Sequence, residues 1–176
     1  DSELIVSFGG IGLKNLQVTH GGTGEHLTEG FLRHARESGV EFVNVAPLRD
    51  DVSAFLGAEW IAPRPNTDTA LMLGLAHTLA AEGLHDKEFL ARYCTGYERF
   101  ETYLLGRSDG APKDAEWAGA ITEIAPDTIR HLARRMAKKR TMIMTTWSLQ
   151  RADHGEQPIW MTVTLAAMLG QIGLPG

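Results

Sequence analysis

The 176-residue chain has a single cysteine, Cys94, which excludes an intramolecular disulfide framework and any metal cage built from several thiolates. No apolar run approaches the roughly 20 residues that a membrane span needs. Positive charge is scarce as well: 17 Lys and Arg stand against 22 Asp and Glu, giving a net charge of −5 and a pI near 5.8. A general nucleic-acid binder wants a basic surface to neutralise phosphate, so that class is not expected; a local basic pocket is compatible with the balance. Internal repeats and low-complexity segments are absent, and Asp1 to Leu4 lack the basic-then-apolar pattern of a signal peptide. What is present is a globular composition, 43% hydrophobic and 22% charged, in a chain the size of one domain with a substantial core. The first residue is not Met and the last four are Gly173-Leu174-Pro175-Gly176, so we expect a segment of a longer protein.

Four short runs carry the strand signal. Leu4-Ile5-Val6-Ser7-Phe8, ended by Gly9-Gly10, suits a buried parallel strand followed by a loop. The glycine-rich span from Gly9 to Gly24 holds Lys14-Asn15 and His20-Gly21-Gly22-Thr23-Gly24. Leu27, Phe31, Leu32 and Ala35 then recur at helical spacing towards a terminating Gly39. Phe42-Val43-Asn44-Val45-Ala46 predicts a second strand, with Pro47 and Arg49-Asp50-Asp51 opening its loop. Glu59-Trp60-Ile61-Ala62 predicts a third, stopped by Pro63-Arg64-Pro65, where proline bars further sheet pairing. Asn66-Thr67-Asp68 offer N-cap side chains to a helix with Leu71, Met72, Leu75, Ala76 and Leu79 on one face. From His85 to Met136 the pattern is helical, with starts at Asp86 and Asp127 and breaks at Gly96, Gly106 and Ser108-Asp109-Gly110. Thr141 to Thr145 is the fourth strand. The alternation predicts one α/β domain over residues 1–176, a Rossmann-like open, mostly parallel sheet flanked by helices, with a helical insertion at about 85–137. Right-handed crossovers place the loops after the strands on one edge.

The loop from Trp147 to Gln157 is the densest in chemistry, with an indole, a guanidinium, an imidazole and amides directly after an apolar run. In open α/β sheets such strand-end loops are where ligands bind. Lys14, Arg49, Arg64 and Arg151 suit phosphate oxygens, and Asp68 suits a guanine edge or a ribose hydroxyl. A standard NAD site is not expected, because the first loop has Gly10 and Gly12 but Asn15 where the third glycine of the fingerprint falls. Ser148, Asp153 and His154 contain the types of a catalytic triad, yet no Gly-x-Ser-x-Gly elbow presents the serine. His20, His26, His34, His77 and His131 show no paired helical metal spacing, and surface or core roles account for them.

Several motifs together resemble one family. They are Phe8-Gly9-Gly10 with Leu13-Lys14-Asn15; Ala46-Pro47-Leu48-Arg49-Asp50-Asp51; the run from Ala62 to Gly74; the run from Trp147 to Pro158; and the run from Leu165 to Gly176. The chain resembles the molybdopterin-guanine-dinucleotide reductases of S-oxides and N-oxides, nearest the biotin sulfoxide reductase branch, then the trimethylamine N-oxide and dimethyl sulfoxide branches. The resemblance implies an oxidoreductase with a molybdenum bis(molybdopterin guanine dinucleotide) cofactor that removes an oxygen atom from its substrate. It further implies that this chain is an α/β domain gripping one guanine dinucleotide. By matching positions, Lys14, Asn15, Ala46, Pro47, Arg64, Pro65, Asn66, Asp68, Trp147, Ser148 and Arg151 look like cofactor contacts, with Arg151 also a candidate near the metal.

Two departures accompany the resemblance. Many family members have Asp-Pro where this chain has Ala46-Pro47, so the carboxylate available there for a ribose hydroxyl is missing. The serine that ligates molybdenum, and the tyrosine and tryptophan that meet the oxide, are expected upstream of this segment; neither Ser148 nor Cys94 is assigned to the metal. The partners implied are the pterin cofactor, the oxide substrate, an unspecified electron donor and other domains of the parent chain, with neither nucleic acid nor membrane insertion. The expected compartment is cytoplasmic on the biotin sulfoxide pattern and periplasmic on that of exported oxide reductases. Two other classes stay open on the residues alone: a nucleotide-binding regulatory module without redox activity, and an α/β interaction domain with decorative polar loops.

Overall fold

The apolar runs become strands because they can be covered on both faces. In the computed structural model, which describes residues 1–15 and 24–175, they form β1 (Leu4–Phe8), β2 (Glu41–Val45), β3 (Glu59–Ile61) and β4 (Thr141–Thr145). His20-Gly21-Gly22-Thr23, Gly176 and the side chain of Asn15 lie outside the described residues. The strands pair in the order β3-β2-β1-β4 and every pairing is parallel, so the sheet is fully rather than mostly parallel. The helices are α1 (Thr28–Glu37), α2 (Asp68–Ala81), α3 (Lys87–Tyr93), α4 (Tyr97–Leu104), α5 (Ala115–Thr122), α6 (Pro126–Lys138) and α7 (Glu156–Leu169).

Alternation along the strands sorts the core. Leu4, Val6, Phe8, Val43, Val45 and Ile61 face a large apolar layer with residues from α2 to α7, whereas Ile5 and Phe42 face a smaller layer with Leu32 of α1, Ile11 and Leu56. α1 thus covers one face and the remaining helices the other. α2 is buried at nine of its fourteen positions, not along one face only. It lies between the sheet and the outer helices, and such a helix is apolar all round. α6 has the opposite design: Ile129, Leu132, Ala133 and Met136 point inward while Arg130, Arg134 and Arg135 make ion pairs.

Caps account for several boundaries. The Asp86 carboxylate accepts from the Phe89 N–H at 2.8 Å and starts α3, and Asp114 does the same for α5 through the Trp117 N–H. Asp127 is instead the second residue of α6, behind Pro126, and accepts from Arg130 at 2.9 Å. No side-chain cap starts α2. Thr67 occupies the cap position, but its hydroxyl donates back to the Arg64 carbonyl at 2.6 Å. Asn66 is left-handed at φ 64°, and this tight reversal directs the hydroxyl to the loop rather than the helix.

The amino end of the sheet is closed by charge. Arg135 joins Glu41 of β2 at 3.0 Å to Glu59 of β3 at 2.5 Å, and Lys139 also meets Glu41. The hydrogen bond from Lys139, then that from Arg135, holds the Glu41 carboxyl below the ordinary glutamate range. The Arg140 N–H donates to Glu3 at 2.8 Å. Among the described residues, no helix is long and apolar enough to cross a membrane.

Candidate functional site at the carboxyl ends of the strands

In register, Phe8 stands opposite both Val45 and Thr145, and Val45 opposite Ile61. The four strands therefore end level, and the loops after them leave from one edge. Connections from β1 run outward through β2 to β3, and the chain then returns to the other side of β1 as β4. The strand order reverses between β1 and β4, the switch point at which open α/β sheets form a ligand crevice.

Backbone contacts stitch the loops into one rim. Gly9 N–H donates to Val45 at 2.8 Å, Thr146 N–H to Phe8 at 3.0 Å, Ala46 N–H to Ile61 at 3.1 Å and Ile11 N–H to Asp51 at 2.8 Å. Gly10 makes the approach to Asp51 possible. Its φ is 92°, a conformation that side chains disfavour, and a Cβ there would stand 2.5 Å from the Asp51 carbonyl oxygen. The loop after β3 is anchored elsewhere: Arg64 N–H donates to Thr122 at the end of α5, 2.9 Å away.

On this rim lie the residues singled out in the sequence. Lys14 follows β1 in a short 3-10 turn, and Arg49 sits in another after β2; both are exposed. Ala46 is fully buried, its carbonyl accepting from the Trp60 indole N–H at 2.8 Å, and Pro47 beside it is exposed. Arg64, Pro65 and Asn66 form the exposed reversal before α2. Asp68, the first residue of α2, is partly buried, and loss of water pushes its carboxyl above the usual aspartate range. Trp147, 79% exposed, and Ser148 lie in the turn Trp147–Gln150, and Arg151 caps it. Lys14, Arg49, Arg64 and Arg151 have no ion-pair partner among the described residues.

Between that turn and the start of α7 is a cavity of 690 Å³, lined by Thr145, Thr146, Trp147, Gln150, Glu156 and Trp160 among others. Its size is that of a small-molecule site. Trp160 and Glu156 did not stand out in the sequence; they lie one helical turn apart in a run that otherwise signals only an apolar helix. Asn44 was also passed over. It is 1% exposed near the end of β2, and neither its amide nitrogen nor its carbonyl oxygen has a partner among the described residues. The signal was a lone amide inside Phe42-Val43-Asn44-Val45.

The triad types do not assemble. Ser148 Oγ is 2.6 Å from the Thr146 hydroxyl, while His154 sits 3.8 Å from Asp153 and 3.7 Å from Glu156. Among the described residues, no group of three or more His, Cys, Asp and Glu is placed to hold a metal ion.

Comparisons with known proteins show the family of the chain. The chain is 49% identical over 175 residues to a biotin sulfoxide reductase of Cereibacter sphaeroides, a match covering 99% of this chain and 24% of the relative. It is 46% identical over 175 residues to a trimethylamine-N-oxide reductase of Haemophilus influenzae, covering 99% and 21%. The chain therefore spans a quarter or less of these relatives' length. Acetylene hydratase from Pelobacter acetylenicus superposes with a TM-score of 0.74 at 25% identity, over 98% of this chain and 22% of that one. The family model described as molybdopterin oxidoreductase matches residues 11–176, and the chain belongs to that family.

Proposed function

We propose that the full polypeptide is a molybdenum-dependent reductase of S-oxides or N-oxides, of the biotin sulfoxide, dimethyl sulfoxide and trimethylamine N-oxide class. In it, this chain holds one guanine dinucleotide of a bis(molybdopterin guanine dinucleotide) cofactor. Family membership implies a molybdenum–pterin cofactor. The observation that carries the finer reading is the switch-point rim, which brings Lys14, Arg49, Arg64 and Arg151 to the loops of one sheet edge without carboxylate partners among the described residues.

The residues present fit such a group. A dinucleotide brings phosphates for guanidinium and ammonium donors. It brings a planar base for the exposed indoles of Trp147 and Trp160, and exchangeable N–H and O–H groups for Asp68. The glycine loop brings backbone close to the crevice, and the buried amide of Asn44 has a donor and an acceptor without partners among the described residues. Ala46 supplies no carboxylate, and Asp68 is a carboxylate acceptor that this rim offers instead. When bound, the cofactor supplies two-electron oxygen-atom exchange with the substrate. The work of this chain is positional: Arg64 and Arg151 hold anionic oxygens, Asp68 accepts hydrogen bonds, and the stitched loops fix where the group lies.

The test is mass spectrometry and metal analysis of the full-length protein from a molybdenum-sufficient host. The expected result is two guanine pterins per molybdenum. Folded protein containing neither, yet retaining a free nucleotide, would sink this reading in favour of a regulatory nucleotide module.

A further inference from the structure

Among the described residues, three that are not glycine have positive φ: Asn66 at 64°, Glu123 at 65° and His154 at 55°. Residues with a Cβ disfavour this region and stay in it where their surroundings over-determine the backbone. Two of the three flank one hydrogen bond. Asn66 follows Arg64 at the second position and Glu123 follows Thr122 directly, and the Arg64 N–H donates to the Thr122 carbonyl at 2.9 Å.

The sequence offers no substitute for that bond. In Pro63-Arg64-Pro65 only the middle residue has a backbone N–H, so the tripeptide has a single donor and it goes to α5. Pro65 also biases Arg64 towards extended backbone. The Arg64 carbonyl is taken as well, by the Thr67 hydroxyl at 2.6 Å. On the α5 side, left-handed Glu123 ends the helix by donating its N–H to Gly119 at 2.9 Å, which leaves the Thr122 carbonyl for Arg64. The Ile124 N–H donates to the Thr122 hydroxyl at 3.2 Å, and Thr122 is fully buried. The circuit closes through α2, which starts at Asp68 directly after the reversal. At Gly74 it lets α5 come so near that an added Cβ would stand 2.6 Å from the Ala118 methyl.

Both polar groups of the Arg64 backbone are thus bonded, while its side chain is exposed and has no ion-pair partner among the described residues. Binding through a mobile arginine costs the entropy of ordering its backbone and its side chain. Here the backbone part is ordered before a ligand arrives. We propose that Thr67, Thr122 and Glu123 are positioning residues that hold Arg64 ready for an anionic oxygen of the ligand. A helix of the stretch between β3 and β4, remote in sequence from every strand-end loop, thereby sets one of the cations of the rim. The inference rests on the reading that this rim grips a guanine dinucleotide.

Two measurements on the full-length protein test it. The first is amide hydrogen exchange on cofactor-free protein, where the Arg64 N–H should exchange about tenfold slower than in an unstructured peptide. Glu123→Val, which puts a β-branched side chain at positive φ, should abolish that protection, and Glu123→Gly should keep it. Free exchange of the wild-type Arg64 amide would overturn the proposal. The second is the rate at which loaded protein releases its guanine pterin. Thr67→Val removes the hydroxyl at constant shape and should speed release about fivefold, the weight of one hydrogen bond, whereas Thr67→Ser should restore the wild-type rate. In an Arg64→Ala background the same Thr67→Val change should add less than about twofold, because a residue that acts through Arg64 has nothing left to position. A merely structural role would cost the same in both backgrounds, and that result would overturn the positioning role alone. Wild-type protein that carries no guanine pterin would overturn it together with the functional reading.

Discussion

At the amino end of the sheet, Glu41, Glu59, Arg135 and Lys139 satisfy one another across α6, β2 and β3, whereas at the carboxyl end Lys14, Arg49, Arg64 and Arg151 find no carboxylate among the described residues. The same strands join the two ends, some five residues apart. Only one end uses its charge to hold elements together. At the other, the loops are held by backbone hydrogen bonds and by glycines that permit close approach, leaving side chains uncommitted. Side-chain ion pairing is thus concentrated at the amino end, and under the proposed function recognition falls at the end where such pairing contributes little to the fold.

The largest effect should come from the rim backbone. Gly10→Ala forces a side chain into a left-handed position and against the Asp51 carbonyl, a cost of roughly 3 kcal/mol from backbone strain plus overpacking. In the full-length protein it should lower the denaturation midpoint and the pterin content together. An unchanged midpoint would show that the loops after β1 and β2 are not locked to each other.

Substitutions of the unpaired cations separate the two properties. Arg64→Ala and Arg151→Ala should leave unfolding of the cofactor-free protein within about 0.5 kcal/mol, as for exposed residues without partners. Each should nevertheless reduce retained pterin by about tenfold, the weight of one charge-assisted hydrogen bond. Equilibrium unfolding and cofactor stoichiometry on the same preparations decide it. Loss of stability without loss of pterin would reverse the division of labour drawn here.

How far this division was legible in the sequence differs between the two ends. The strands could be found because β1 and β4 are uninterrupted apolar runs, and their loops because glycine, proline and charge cluster after them. The ion pairs of the amino end join residues 94 and 98 positions apart, Arg135 and Lys139 with Glu41, and no local pattern announces such partners. The cap of α2 was misread because Asn66-Thr67-Asp68 carries the right residue types. The Thr67 hydroxyl takes the nearer Arg64 carbonyl instead. Asp68, Arg64 and Arg151 could be singled out by family resemblance, whereas Trp160 and Glu156 needed the placement of α7 against the turn after β4.

At the amino end the corresponding probe is Arg135→Ala. It removes two hydrogen-bonded ion pairs, but its partners Glu41 and Glu59 are nearly half exposed, so the loss should be about 1 kcal/mol after solvent screening. Pterin content should stay at the wild-type level. A fall in pterin without a fall in stability would place this cluster in communication with the rim.

The smallest effect, and the one that sets the two ends against each other most directly, is a difference in pH dependence. Glu41 has a lowered pKa, so its contribution to stability is present above the unfolded glutamate value of about 4.3 and is lost as pH falls through the lower folded value. Asp68 has a raised pKa, so its contribution has the opposite sign. It is fully present below the unfolded aspartate value of about 3.9 and is lost as pH rises through the folded value, leaving the cofactor-free protein with an ionised, partly desolvated carboxylate at neutral pH. Asp68→Asn should therefore raise the unfolding midpoint at pH 7 and leave it unchanged near pH 3.5, by less than Arg135→Ala lowers it. In the cofactor-loaded protein the same substitution should destabilise at pH 7, because a donor group of the bound ligand meets the carboxylate and reverses the cost of its ionisation. Midpoints measured at both pH values, with and without cofactor, give four numbers. A neutral-pH gain that persists after loading would mean that Asp68 meets no donor on the ligand.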